Sequence, residues 1–143
     1  MKYNETTVRV RYKDTDQMGV AYYANYFVWF EVGRCEYFRE LGMSYRDLEQ
    51  NEILLPVIEA FCKYKNPARY DDLLLIKTGL KFLEDVKLGF YYEIFHRERG
   101  ELLAFGETVH AFVNKKGKPI VLRKHNPIFW RIMKEKVMET HEI

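Results

Sequence analysis

The sequence has few of the side chains that most hydrolases use as nucleophiles. Its 143 residues contain one serine, Ser44, and two cysteines, Cys35 and Cys62. Ser44 stands three residues before Asp47, the pattern of a helix N-cap, so a Ser-His-Asp hydrolase is close to excluded. The cysteines fall in stretches that read as a helix and a strand, which favours small core residues over a disulfide or a catalytic thiol.

Motifs for phosphate loops, metals and membrane spans are also missing. The eight glycines form no G-x-G-x-x-G or G-x-x-x-x-G-K-[ST] motif, and no two of the four histidines have metal-ligand spacing. We therefore expect no cofactor and no metal. The longest uncharged run, residues 17–30, is too short for the roughly 20 residues that cross a bilayer. Residues 1–5 lack the apolar stretch of a signal peptide, so a cytoplasmic protein without a membrane span is expected.

The composition is that of one folded domain. Hydrophobic residues make up 48% of the chain and aromatic residues 16%, while the net charge is only +2. A chain of this length buries a sizeable core without disulfides or metals, and we assign residues 1–143 to a single domain. The mild charge does not favour nucleic acid as a partner.

Hydrophobic periodicity predicts a strand, a long helix, four more strands and a terminal helix. Apolar residues recur at helical spacing from Tyr22 to Leu41, and the first half of this helix is apolar almost all round, as in a helix that the rest of the protein encloses. Alternating strands are predicted at 6–12, 53–65, 73–83, 87–97 and 102–113, a short helix at 44–51, and a terminal helix from Asn126 to about Met138. The prediction is an α+β fold in which an antiparallel sheet of about five strands wraps around the long central helix.

Two aspartates lie between the first predicted strand and the long helix. Their D-x-D spacing does not fit a calcium loop, because Met18 and Asn25 occupy positions that require an oxygen donor and a bidentate Glu. Asp14 is expected to be a turn or cap residue. Asp16 stands just before the helix start, where backbone N–H groups and the helix dipole favour an ionised carboxylate. The same N–H groups can bind a developing oxyanion.

The pattern D-T-D-x-x-G-x-x-Y-Y-x-N-Y, from residue 14 onwards, is specific. Together with residues 55–57 (LPV) and 66–72 (NPARYDD), it closely resembles the 4-hydroxybenzoyl-CoA thioesterase family, in particular its YbgC-type acyl-CoA thioester hydrolases. The resemblance covers nearly the whole chain. It implies the hotdog fold, in agreement with the sheet and helix predicted above, and hydrolysis of an acyl- or aroyl-CoA thioester to the free acid and coenzyme A.

The resemblance also implies roles for individual residues. Asp16 corresponds to the catalytic carboxylate, as nucleophile or general base, and the backbone N–H of Tyr23 to the group that polarises the thioester carbonyl. A second backbone donor falls near Leu54, where relatives have glycine. Some YbgC-type members carry a His in place of Tyr23, a departure that bears on substrate preference. Tyr22 and Tyr26 are candidates for an aromatic substrate pocket, although aromatic residues at helical spacing are more often core.

Positive charge is concentrated near the end of the chain, where residues 115–136 hold eight Lys and Arg against one acid, Glu135. We expect Arg123 and Lys124 to hold the phosphates of coenzyme A, while a solvated basic face explains the same run equally well. The family's active site lies between subunits, and an open sheet leaves an edge strand without a partner. A homodimer or homotetramer is therefore expected.

Three other functions remain open from the sequence. A hotdog dehydratase needs a His paired with a carboxylate, and no His occurs in the first 95 residues. A non-catalytic acyl-CoA-binding module would be expected to lack the carboxylate of Asp16. A purely structural assembly protein would use the aromatic helix start as simple core.

Overall fold

The computed structural model describes residues 3–137, which form an antiparallel sheet of five strands together with α-helices. The strands are β1 (Tyr3–Arg9), β2 (Val57–Tyr64), β3 (Leu73–Leu83), β4 (Lys87–His96) and β5 (Leu102–Ala111), and the helices are α1 (Asn25–Glu40), α2 (Tyr45–Gln50), α3 (Leu122–His125) and α4 (Pro127–Lys134). The predicted order of elements is confirmed. The predicted end of the terminal helix, Met138, lies outside the described residues.

The strand order in the sheet is β1-β3-β4-β5-β2, and every neighbouring pair is antiparallel. The hairpins β3–β4 and β4–β5 form the centre because their connections are short. β1 and β2, which come before the hairpins in sequence, are added at opposite edges. Asp85 therefore lies at the turn between β3 and β4, at one end of the sheet, and Arg99 at the turn between β4 and β5, at the other.

Helix α1 packs on the inner face of the sheet. Its Phe30 ring stacks on Tyr92 of β4, with the centroids 4.3 Å apart. At Gly33 a Cβ atom would come within 2.2 Å of Thr78 Oγ1, so only glycine permits this close approach of α1 to β3. Within the described part of the chain, no helix has the length and apolar character needed to cross a membrane. The predicted arrangement of a sheet around a long buried helix is confirmed.

Helix α1 begins at Asn25, three residues later than predicted. The reason is a hydrogen bond from Tyr22 N to Asp14 O, 2.8 Å long, which ties the segment before the helix to the preceding turn. Residues 22–24 therefore form a turn that leads into the helix.

Strand β2 differs from the alternating, half-buried strand that its sequence predicts. Seven of its eight residues are exposed, and only Cys62 is half-buried. Cys62 packs against the edge of the core, and burial raises its pKa to about 11, which makes the thiol a poor nucleophile. Cys35 is half-buried too, so neither cysteine is a fully buried core residue.

Candidate active site

Asp14 and Asp16 have different surroundings although they are two residues apart. Asp14 is 4% exposed, and its carboxylate accepts hydrogen bonds from the backbone N–H of Arg11 (2.8 Å) and from the Arg11 guanidinium. It closes the 3-10 turn Tyr12–Asp14. The structure thus confirms that Asp14 is a turn residue, with its carboxylate fully engaged locally.

Asp16 occupies the tight loop that follows. Its Oδ1 accepts from Met18 N at 2.8 Å, and its backbone pairs with Val20 and Gly19. Gly19 has φ +80°, a conformation that side chains rarely adopt, so the loop depends on glycine there. Oδ2 has no hydrogen-bond partner among residues 3–137. One oxygen holds the loop, and the other is available.

Asp16 lines two cavities. The first, which we call the tyrosine cavity, has a volume of about 320 Å³ and contains residues from three segments: Asp16, Val20, Ala21, Tyr23, Tyr26, Tyr64, Lys65, Asn66 and Pro67. The second, the turn cavity, is lined by Tyr12, Lys13, Thr15, Asp16, Gln17, Tyr22 and Asn25. Asp16 is the one residue that these two linings share, and neither lining contains a His.

The start of helix α1 supplies free backbone donors beside these cavities. Asn25, Tyr26 and Phe27 donate their N–H groups to carbonyls three residues earlier. The N–H groups of Tyr23 and Ala24 have no acceptor within the described residues, and Ala24, the N-cap, offers no side-chain cap. These two donors and the positive end of the helix dipole are able to bind an oxyanion. The sequence singled out Tyr23 but not Ala24.

A side chain that the sequence analysis did not single out fixes this helix start. Asn25 Nδ2 donates to Asp14 O at 2.8 Å, and the same carbonyl accepts Tyr22 N. The Asp14 turn and the first turn of α1 are therefore held together, with Asp16 between them. Asn25 belongs to the motif that carries the family resemblance, which is the sequence signal for its importance. The hydrogen bond that it forms is visible only in the three-dimensional structure.

Tyrosines form one wall of the tyrosine cavity. Tyr26 is 3% exposed, and its hydroxyl accepts from Ala68 N at 3.2 Å, so it serves as both core and cavity wall. Tyr64, at the end of β2, donates its hydroxyl to Tyr23 O at 3.1 Å and lies edge-on to the Tyr26 ring, 4.9 Å between centroids. Burial, followed by the nearby Cys62, raises the pKa of Tyr64 to about 12. Both phenols are therefore neutral hydrogen-bonding groups at pH 7.

The opposite wall is the loop at residues 66–72, which the Asp16 loop contacts through backbone hydrogen bonds. Ala21 N donates to Ala68 O at 2.8 Å, and Val20 forms a β-bridge with Arg69. Asp72 holds this loop by accepting from Arg69 N and by facing His96 Nε2 at 3.4 Å. This NPARYDD stretch is part of the family resemblance, and its first two residues, Asn66 and Pro67, line the tyrosine cavity.

Four of the residues predicted from the sequence line the tyrosine cavity or the turn cavity: Asp16, Tyr22, Tyr23 and Tyr26. Leu54 lines neither of them. The N–H of Leu54 donates to Val113 O at 2.8 Å, so this donor is already used within the chain. Leu54 lines a different cavity of about 490 Å³, the leucine cavity, together with Tyr45, Glu49, Ile53, Leu55, Pro56, Val113 and Gly117. The expectation of a free oxyanion donor at Leu54 is therefore wrong for a single copy of the chain.

Arg123 and Lys124 are also distant from Asp16 within one copy. Arg123 forms a two-pronged ion pair with Asp85 at 3.1 and 3.2 Å, at the β3–β4 turn. Asp16 belongs to the other end of the sheet, since its loop contacts the segment that follows β2. The ends are separated by the 10 residues of β4, which at ~3.3 Å per residue span about 30 Å. This basic pair can approach the Asp16 site only from a second copy.

Comparison with known proteins gives a consistent result. The sequence family described as the thioesterase-like superfamily matches residues 10–137. The Bacillus subtilis protein YneP is 37% identical over 128 residues, which are 89% of this chain and 92% of that protein. The acyl-CoA thioester hydrolase YbgC of Escherichia coli O6:H1 is 35% identical over 118 residues, 82% of this chain and 87% of that protein.

The solved structures agree with the sequence comparisons. A DHNA-CoA thioesterase from Staphylococcus aureus superposes with a TM-score of 0.88 at 35% identity, covering 93% of this chain and 89% of that chain. The likeness extends over the sheet and the helices together, and it confirms the α+β hotdog fold predicted from the sequence.

Proposed function

The chain belongs to the thioesterase-like superfamily and is a thioester hydrolase, and we propose that it hydrolyses acyl-CoA thioesters with Asp16 as the catalytic carboxylate. The observation that carries this proposal is that Asp16, whose Oδ2 is free, lines both cavities and shares the tyrosine cavity with Tyr23, whose backbone N–H is unpaired within the described residues. Asp14 cannot take this role, because its carboxylate is buried and bonded to Arg11.

In the proposed reaction the thioester carbonyl oxygen accepts hydrogen bonds from the N–H groups of Tyr23 and Ala24. Asp16 Oδ2 attacks the carbonyl carbon, the C–S bond breaks, and coenzyme A leaves as a thiolate. Water then opens the mixed anhydride, releasing the free acid and regenerating the carboxylate. A second route, in which Asp16 takes a proton from the attacking water, uses the same geometry. Because an aspartate is a weak base at pH 7, the nucleophilic route is favoured.

The exposed edge strand supports a proposal of self-association. Val57, Ile58 and Phe61 of β2 are 50 to 52% exposed, and this edge has unpaired backbone groups because β2 contacts only β5 in the sheet. Two copies can pair their β2 strands antiparallel about a two-fold axis, which joins the two sheets and covers this apolar surface. We propose a homodimer of this kind, and a tetramer would need a further interface.

Such a dimer would also complete the site. If β2 pairs with its counterpart about its middle, the first residues of β2 in one copy lie opposite the last residues, near Tyr64, in the other. The segment before β2, which lines the leucine cavity, then lies beside the tyrosine cavity of the second copy. The leucine cavity is apolar on most of its surface and is suited to the acyl group, while Asp16 of the other copy reaches the thioester.

The variant Asp16→Asn tests the catalytic role. It preserves size and the bond to Met18 N but removes the anionic oxygen, so we expect thiol release from acyl-CoA to fall by about a hundredfold or more while acyl-CoA binding survives. Asp14→Asn is the matched control and should hydrolyse at the parent rate once corrected for the folded fraction.

Two outcomes would contradict the proposal. Equal hydrolysis by the parent and by Asp16→Asn would remove Asp16 from the mechanism. A parent protein that binds acyl-CoA in a calorimeter but releases no thiol would be a non-catalytic binding module.

A further inference from the structure

A chain of buried polar side chains crosses the core, and the proposed mechanism does not use it. Its charged member is Arg34 of helix α1, which is 7% exposed. Arg34 Nε donates to the Tyr45 hydroxyl at 3.1 Å, and Nη1 donates to the Tyr92 hydroxyl at 3.2 Å. Both acceptors are phenols, and within residues 3–137 this guanidinium forms no ion pair with a carboxylate.

From Tyr92 the chain continues through β5 to the segment before β2. The Tyr92 hydroxyl lies 2.6 Å from Thr108 Oγ1, which lies 2.8 Å from His110 Nε2. His110 Nδ1 lies 3.1 Å from Leu55 O. Tyr92, Thr108 and His110 are at most 2% exposed.

The chemistry of Arg34 and of the Leu55 carbonyl fixes the direction of every hydrogen bond between them. A guanidinium only donates and a carbonyl only accepts, so the Tyr92 hydroxyl donates to Thr108, the Thr108 hydroxyl donates to His110 Nε2, and Nδ1–H donates to Leu55 O. Burial, together with the charge of Arg34, lowers the pKa of His110 to about 4, although the bond to Leu55 O acts the other way. His110 is therefore the neutral Nδ1–H tautomer at pH 7.

Both ends of this chain reach the same cavity. Tyr45, in α2, and Leu55, before β2, are both lining residues of the leucine cavity. We propose that the buried chain Tyr45–Arg34–Tyr92–Thr108–His110–Leu55 sets the spacing of the two walls of the leucine cavity and thereby selects the acyl group, with His110 as the positioning residue for the Leu55 wall.

The energetic cost of the chain supports a positioning role. Burying a guanidinium without a carboxylate lowers stability, and an apolar core of the same volume is often more stable. Fully bonded polar networks, by contrast, specify a unique arrangement of the elements that they join. Here the joined elements are α1, α2, β4, β5 and the segment before β2, and this segment is also held by backbone hydrogen bonds of Leu54 with Val113 and of Pro56 with Ala111.

The inference rests on the proposed function, since it takes the leucine cavity as the acyl site. Its walls are apolar at Ile53, Leu54, Leu55, Pro56 and Val113, so the group it takes is the apolar end of an acyl chain or ring. A small acyl group such as acetyl does not need these walls. Changes in the chain should therefore affect long acyl groups and leave acetyl-CoA hydrolysis nearly unaffected.

The experiment compares kcat/KM for hexanoyl-CoA and acetyl-CoA in variants of the chain. Thr108→Val has the shape of threonine but breaks the chain at its centre, and we expect it to lower the hexanoyl-to-acetyl ratio about tenfold, with kcat for acetyl-CoA within about threefold of the parent. Tyr91→Phe is the matched control, because it removes a phenol from the outer face of the same strand as Tyr92, where the hydroxyl bonds Glu93. It should leave the ratio unchanged.

Two substitutions of His110 separate positioning from general stability. Asn places its amide N–H where Nδ1 stands and can still donate to Leu55 O, whereas Gln reaches only the Thr108 side. We expect His110→Asn to keep the ratio within about threefold of the parent and His110→Gln to lower it about tenfold. Thermal melting of each variant records the folded fraction at the assay temperature.

The outcomes distinguish this inference from the proposed function. If the parent hydrolyses both thioesters and Thr108→Val leaves the ratio unchanged, or lowers both rates in proportion to lost stability, the selectivity role is wrong and the thioesterase proposal stands. Equal effects of His110→Asn and His110→Gln would also overturn the positioning role. If the parent releases thiol from neither substrate, the proposed function fails and this inference fails with it.

Discussion

Within the described residues the two edge strands of the sheet, β1 and β2, each pair with one neighbouring strand, yet the surfaces of the two edges differ. β1 alternates between covered and exposed residues, and its buried Asn4 donates to Glu40 of helix α1 at 2.8 Å. β2 exposes large apolar side chains along its length, among them Ile58 (52%) and Phe61 (51%). The β1 edge is partly covered by helix α1, whereas the β2 edge leaves large apolar side chains exposed.

The position of helix α1 explains the difference. The helix packs on β1 and β3 and reaches β4 at Tyr92, so the β1 edge has a partner layer on its inner face. β2 lies beyond the helix, at the far edge of the sheet, and Tyr64 at its end forms a wall of the tyrosine cavity. The incomplete edge and the candidate active site are thus the same region, which is why we connect self-association with catalysis.

The largest effect is expected at the centre of β2. The proposed two-fold axis passes beside Phe61 and places this residue next to its own counterpart, so Phe61→Lys would bring two like charges close together and remove apolar contact area. We expect the dimer dissociation constant to rise by about a hundredfold or more, and hydrolysis at low micromolar protein to fall with the dimer fraction. Sedimentation velocity and thiol release over a dilution series measure both quantities.

Thr7→Lys provides the matched control on the other edge, because Thr7 is an exposed residue of β1. It should leave association and activity unchanged. A Phe61→Lys protein with the parent's sedimentation coefficient and full activity would show that β2 is not the interface, and dissociation by Thr7→Lys would place the interface at β1.

A smaller effect is expected where β2 meets the helix start. Tyr64→Phe removes the hydrogen bond to Tyr23 O, whose net value is about 1 kcal/mol, so kcat/KM should fall about fivefold with little change in melting temperature. Tyr91→Phe again serves as the control for loss of a phenol elsewhere in the sheet. A kcat/KM for Tyr64→Phe equal to that of the parent would mean that the Tyr23 backbone is positioned without β2.

The smallest effect concerns the basic pair at the far end of the sheet. In the proposed dimer that end of one copy lies towards the Asp16 site of the other, but Arg123 is already paired with Asp85. Neutralising Arg123 and Lys124 together should raise KM for acyl-CoA about threefold at low salt and leave kcat unchanged. An unchanged KM excludes this pair from coenzyme A binding and leaves the solvated basic face as its explanation.

Much of the candidate site could be predicted from local sequence. Asp16, Tyr23 and the helix start lie within ten residues of one another, and their geometry follows from a turn, a glycine and a helix N-terminus. The position of Asp16 just before the helix start separated it from Asp14 in the sequence, and the structure shows that Asp14 closes a turn by accepting from Arg11 N. The sequence did not identify Tyr64 and the loop at 66–72 as walls of the tyrosine cavity. Their contact with the Asp16 loop joins segments that are about fifty residues apart along the chain.

The error at Leu54 has the same origin. Its position before β2 suggested a backbone donor, although relatives have glycine there, but the N–H donates to Val113 O, about sixty residues away in sequence. The buried chain from Tyr45 to Leu55 was likewise invisible, because alternation on β4 and β5 shows that residues face inward but not which hydroxyl meets which imidazole.

The sequence by itself determined the order of strands and helices, the burial of the long helix and the choice of Asp16 as the proposed catalytic carboxylate, because these depend on periodicity and on residues that are neighbours along the chain. Only the tertiary structure decided that β2 remains uncovered, that Arg123 and Lys124 lie away from Asp16, and that two distant segments share the leucine cavity. These features depend on how far helix α1 extends across the sheet and on which backbone groups are already paired. Both are properties of non-local packing, which no run of neighbouring residues specifies.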